Sequence, residues 1–182
     1  RPRAPPRLRA TPPTHARERA EPMGQANCCQ SPRSSASSPG KRRTRCVRTM
    51  EQDNRSLAEL VKQQKSKCQD IMQELNKYGE KDGHWIWWIC PTDMPGDADP
   101  FATYVTKDTA HGLFAENSAE QEWREVLEKM CDLLETKGKQ VLPRIDHGRI
   151  HYFLKFWKDL PDTPEWMDDV LERLSGFDWP TR

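Results

Sequence analysis

Residues 83–93 read Gly-His-Trp-Ile-Trp-Trp-Ile-Cys-Pro-Thr-Asp, three tryptophans and two isoleucines beside one histidine, stopped at Pro91. In a chain with 31% charged residues such a run has to be covered by a core, a partner or a ligand, because each indole removes a large area from water. Periodicity does not decide its conformation: a short continuous apolar segment fits a buried strand or a buried helical turn equally well.

The segments around it are easier to read. Leu57, Leu60, Val61, Cys68, Ile71, Met72, Leu75 and Tyr78 recur at three- and four-residue steps, which predicts an amphipathic helix over 56–78. Asp53 or Asn54 is the expected cap, Gly79 the left-handed terminator, and Lys62, Lys65, Lys67 and Glu74 the solvated face. Residues 92–100 carry Pro95, Gly96 and Pro100 among three aspartates and read as a loop. A short apolar step follows over 101–105, then a helix over 108–115. Ser118 caps a longer one that Gly138 closes, and Trp123, Val126, Leu127, Met130, Cys131 and Leu134 form its stripe. His147, Ile150, His151, Leu154 and Trp157 share a face over 146–158, and Thr163-Pro164 starts a last helix ending at Gly176. The expected fold is mainly α: a compact single domain of four to six helices, residues 50–182, behind a disordered tail, residues 1–49.

The tail rests on composition. Residues 1–48 hold twelve Lys or Arg against two Glu, with eight prolines and no aromatic residue, which cannot build a core. The remaining chain is acidic, with 17 basic and 26 acidic residues, so the near-neutral total hides a basic tail on an acidic domain. A start at Arg1 suggests a leader, a fragment or a processed product. Were Met23 the initiator, Gly24 would follow it as an acylation site, with Cys28 and Cys29 as palmitoylation sites and Lys41, Arg42, Arg43, Arg45 and Arg48 as the basic second signal for a membrane surface. Cys28 stands where that motif has Ser or Thr. The expected location is the cytoplasm, at the cytoplasmic face of a membrane if the tail is acylated. The basic cluster lacks interleaved aromatics and any reading element, so no specific nucleic acid is expected. Cys68, Cys90 and Cys131 lie in apolar patterns and read as small buried hydrophobes; no CxxC pair is present.

Candidate chemistry gathers on His84 and on Arg144–Phe153, RIDHGRIHYF. If these converge on the tryptophan run, His84 and His147 have the residue type for proton transfer, Arg144 and Arg149 for clamping an anion, and Trp85 and Trp88 for stacking on a planar ligand. Asp146 and His151 would complete the lining. His147 and His151 are spaced to chelate, with His84, Asp93, Asp97 or Asp146 as a third ligand, but two ligands alone assign no metal. Glycine-rich phosphate loops, GxSxG, HExxH and nucleophilic-cysteine signatures are absent, which leaves any cofactor unknown.

His84, Trp85, Trp87 and Pro91, behind the helix IMQELNKYGEKDG, resemble the hallmark His-Trp-Met-Trp-Phe-Ile-Phe-Pro-Gln of an uncharacterised domain family, widespread in bacteria and sometimes mislabelled calpastatin. Ile86, Trp88, Ile89 and Cys90 exchange one apolar residue for another, and Thr92 departs from the Gln. The resemblance covers about half of the domain and implies a compact helical fold without an established activity. Three functions follow as expectations: a module binding a small anionic or planar ligand in a cleft lined by Trp, His and Arg; a hydrolase or transferase acting on a phosphorylated or nucleotide-like substrate; or a protein-interaction scaffold anchored by exposed indoles. The oligomeric state is not legible.

Overall fold

The computed structural model describes residues 49–94 and 104–181. The tail, including Gly24, Cys28 and Cys29, and the loop over 95–103 lie outside the described residues. Within them the fold is helical: α1 (Met50–Tyr78), the single turn α2 (Ile86–Ile89), a 3₁₀ turn (Ala110–Phe114), α3 (Glu120–Lys137), a second 3₁₀ turn (Lys139–Val141), α4 (Arg144–Lys158) and α5 (Glu165–Ser175). Among the described residues no helix is long and apolar enough to cross a membrane.

α1 begins ahead of its apolar repeat. Thr49 and Gln52 form a reciprocal capping box, Gln52 N–H donating to Thr49 Oγ1 and Thr49 N–H to Gln52 Oε1. The start is therefore Met50 rather than Ser56, and Asp53, expected as a cap, lies buried in the first turn. Gly79 ends the helix at φ 66°, a conformation that disfavours any side chain, with its N–H on the Leu75 carbonyl.

The tryptophan run is a helical turn, and its carbonyls show why. A four-residue helix leaves its last carbonyls without intrahelical donors. Gln64 Nε2 from α1 donates to the Trp88 carbonyl at 2.8 Å, and Trp123 Nε1 from α3 to that of Ile89 at 2.8 Å. Trp157 Nε1 from α4 reaches the Pro91 carbonyl at 3.0 Å. Three helices thus close on α2 through donors that would otherwise be buried unpaired. Beyond it Val105 N–H donates to the Thr92 carbonyl, within an isolated parallel bridge between Thr92 and Tyr104.

The core follows the expected stripes. Leu60, Cys68, Ile71 and Leu75 of α1 are buried with Trp123, Leu127, Met130 and Leu134 of α3, Ile150, Phe153 and Trp157 of α4, and Met167, Val170 and Leu174 of α5. Phe114 lies within 6 Å of Trp123, Trp157 and Trp166, in stacked and edge-on geometries that add to area burial. Residues 108–115 hold only the 3₁₀ turn, where the side chain of Leu57 of α1 takes the space that a Cβ on Gly112 would need. The N-cap of α3 is Ala119 rather than the expected Ser118, whose hydroxyl, one residue ahead of that cap, accepts from Glu120 N–H. Thr163 departs from its capping role: its hydroxyl donates to the Asp168 carboxylate.

Candidate functional site

α4 starts at Arg144, two residues before the periodicity suggests, with Pro143 in extended backbone ahead of it. That places Arg144, Asp146 and His147 in the first turn, where Arg144 and His147, three residues apart, lie on one side of the helix and Asp146 on another. Arg144 is exposed, whereas Asp146 and His147 are 8% and 7% exposed.

Asp146 turns inward and does not meet solvent as a cap would. Its Oδ2 lies 2.8 Å from Lys81 Nζ, in an ion pair whose members are both buried. Lys81 also donates to the Gly83 carbonyl and stands 5.2 Å from the Trp85 ring centre, while its N–H binds the Val141 carbonyl. Glu74 of α1 secures the same turn by accepting from Asp82 N–H, Gly83 N–H and Trp85 Nε1. Burial opposes ionisation of Glu74, but these donors, with Lys81 nearby, outweigh it and hold the carboxyl below its ordinary value. Glu74 is thus a tether for the turn after α1, not part of a solvated face.

His147 stands edge-on to Trp179, ring centres 5.2 Å apart. Its Nε2 is 3.1 Å from the Leu142 carbonyl oxygen and 3.3 Å from that of Lys139. Lys139 donates in turn to the Asp178 carbonyl at 2.7 Å, which binds the C-terminal segment to the turn ahead of α4. Between these elements opens a hollow of about 370 Å³ lined by Lys139, Gln140, Leu142, Arg144, His147 and Pro180. Two basic side chains, one imidazole and an apolar floor therefore share one groove.

The other expected site residues go elsewhere. His84 is exposed on the turn after α1. Trp85 is buried with its N–H spent on Glu74, and Trp88 is half-buried, edge-on to Trp87 at 5.8 Å. Arg149 is buried and donates from Nη1 to the Met94 carbonyl at 3.1 Å. His151 rests half-buried and edge-on to Tyr152, so the histidines four residues apart do not share a partner. Among the described residues no three His, Cys, Asp or Glu side chains gather as a metal site. Two further hollows, of about 390 and 350 Å³, flank Trp166, and Trp85, Trp87 and Trp88 line none of the three. Lys139, Lys81 and Trp179 are the groups that residue patterns missed. Their roles depend on chain segments that meet only in the fold, although Lys139 beside the helix-ending Gly138 was a local signal.

The domain cysteines offer no nucleophile. Burial pushes the thiols of Cys68 and Cys131 up to about 12 and raises that of Cys90 as well, so each stays a protonated packing group.

No curated protein and no solved structure matches the chain. Residues 54–177, more than half of its length, match the family described as "Protein of unknown function (DUF1810)", a span that takes in α2, the Lys81–Asp146 pair, Arg144 and His147. The expectation of an uncharacterised domain family is met on that broader span, and the chain belongs to the DUF1810 family.

Proposed function

We propose that the domain is a binding module for a small anionic ligand, seated in the groove at the start of α4. Arg144 and Lys139 supply the positive charge, the N-terminal end of α4 adds a favourable dipole, and Leu142 and Pro180 receive an apolar part of the ligand. Asp146 serves from behind: its pair with Lys81 fixes the first turn of α4 against the turn after α1. The observation that carries this reading is the convergence of Lys139, Arg144 and His147 on one hollow. Of the expected site set the reading keeps Arg144 and His147 as ligand contacts and Asp146 as their support.

The test is thermal unfolding of the full chain against rising inorganic phosphate or sulfate at constant ionic strength. A ligand that binds only the folded state raises the midpoint with concentration, adding about 2.7 kcal/mol of stability at a hundredfold excess over Kd. The reading expects a saturable rise that is lost in Arg144→Gln and Lys139→Gln. An equal rise in both variants would place the site elsewhere.

A further inference from the structure

His147 holds one nitrogen in a fixed state. Both partners of Nε2, the carbonyl oxygens of Leu142 and Lys139, only accept hydrogen bonds, so Nε2 carries a hydrogen whether the ring is neutral or charged. Trp179 holds the ring edge-on and 93% of the residue is covered. Nδ1 is therefore the only position at which this ring exchanges a proton, and it has no hydrogen-bond partner among the described residues. His147 belongs to the groove lining. In the neutral ring Nδ1 presents a lone pair, which meets an anionic oxygen unfavourably; only a proton between the two makes a bond.

Resting on the anion-binding reading, we infer that the groove takes a phosphate monoester together with one shared proton, held between Nδ1 of His147 and a phosphate oxygen. A phosphate monoester suits this because its second ionisation falls near pH 6, so the proton can arrive on the ester as well as on the imidazole. Imidazolium with the dianion and neutral imidazole with the monoanion give the same complex, with the same atoms and charge. Sulfate and carboxylates ionise far lower and depend on the imidazole alone. Arg144 and Lys139 take the other oxygens, and Leu142 and Pro180 face the ester carbon. The charged groups on elements packed about the ring are Lys139 on the 3₁₀ turn, Arg144 and Asp146 on α4, Lys81 and the exposed His84 on the turn after α1, and Asp178 on the C-terminal segment. Of these only His84 is a second imidazole.

Calorimetric titration of the full chain with phenyl phosphate, inorganic phosphate and sulfate, over about pH 5.5 to 8.5 in buffers of different ionisation enthalpy, tests this. Phenyl phosphate is expected to bind more tightly than inorganic phosphate. It should take up about one proton at the alkaline end, its Kd weakening about tenfold per pH unit there and weakening again at the acid end. Sulfate should weaken only at the alkaline end. His147→Gln is expected to flatten both profiles and His84→Gln to leave them unchanged. The unmutated chain alone decides the matter should His147→Gln fail to fold. A pH-independent Kd without proton uptake overturns the shared proton and leaves anion binding standing; loss of the profile in His84→Gln overturns the assignment to His147. Equal affinity for ester and inorganic phosphate overturns the ester class. No binding of any of the three ions overturns the anion-binding reading and this inference with it.

Discussion

Around α2, three side-chain donors from α1, α3 and α4 end on the carbonyls of Trp88, Ile89 and Pro91, whereas at the start of α4 Arg144 stays exposed and His147 keeps Nδ1 without a partner among the described residues. The first region is the more conspicuous in the chain and the second carries the functional reading. The contrast teaches that a dense aromatic run reports mainly on burial. A polar group with hydrogen-bonding capacity left over reports on what a surface can hold.

The pair that joins the two regions offers the hardest way to break the contrast. Asp146→Ala leaves the Lys81 ammonium buried without its counter-charge, which costs about 3–5 kcal/mol. Urea unfolding of the full chain should show that loss in the midpoint. Lys81→Met with Asp146→Leu, which removes both charges, should cost less than either single change; a double variant as weak as the sum of the singles would mean that the two do not act as a pair.

Within the aromatic region two like substitutions separate hydrogen bonding from volume. Trp157→Phe strands the buried Pro91 carbonyl and is expected to cost about 1–3 kcal/mol beyond the lost packing. Trp87→Phe removes a buried Nε1 that has no partner among the described residues, so the hydrogen-bonding part of its cost is about zero. Equal losses in urea titrations of the two variants would show that the carbonyl bonds contribute little and that α2 is held by apolar contact alone.

Glu74 sharpens the comparison through pH. Its carboxyl is held below the ordinary value in the folded chain, so its contribution is present above the carboxylate range and fades as pH falls through the folded value. Glu74→Ala should cost about 1–2 kcal/mol at neutral pH and progressively less toward about pH 3, read as urea midpoints along the pH series. A gap between variant and parent that stays constant with pH would refute the tether's dependence on charge.

The helices were legible because their stripes repeat over many turns, and the two left-handed glycines or their neighbours marked the ends of α1 and α3. The capping box at Thr49 escaped notice because it precedes the first apolar repeat, inside a stretch that composition assigns to the tail. Four residues of α2 are too few to display a period, and what makes them helical comes from Gln64, Trp123 and Trp157, distant in sequence. Arg144 and His147 stood out by residue type. Their placement in one groove depends on Lys139, Trp179 and Pro180, which meet only when the C-terminal segment folds back, and no local pattern announces that.

The smallest effect on stability belongs to Arg144, and it is the most discriminating. Its exposed guanidinium makes no hydrogen bond or ion pair within the described residues, so Arg144→Gln should change the unfolding free energy by less than about 0.5 kcal/mol. A charge-assisted contact to an anion in the groove contributes about 1.5–3 kcal/mol, so the same substitution should weaken phosphate binding by roughly tenfold to a hundredfold in calorimetry. Trp157→Phe should show the opposite pattern, a clear loss of stability with an unchanged Kd at temperatures where the fold is intact. The two ratios together separate a group that holds the chain from a group held ready by it. A loss of stability in Arg144→Gln as large as that in Trp157→Phe would erase the distinction between the regions.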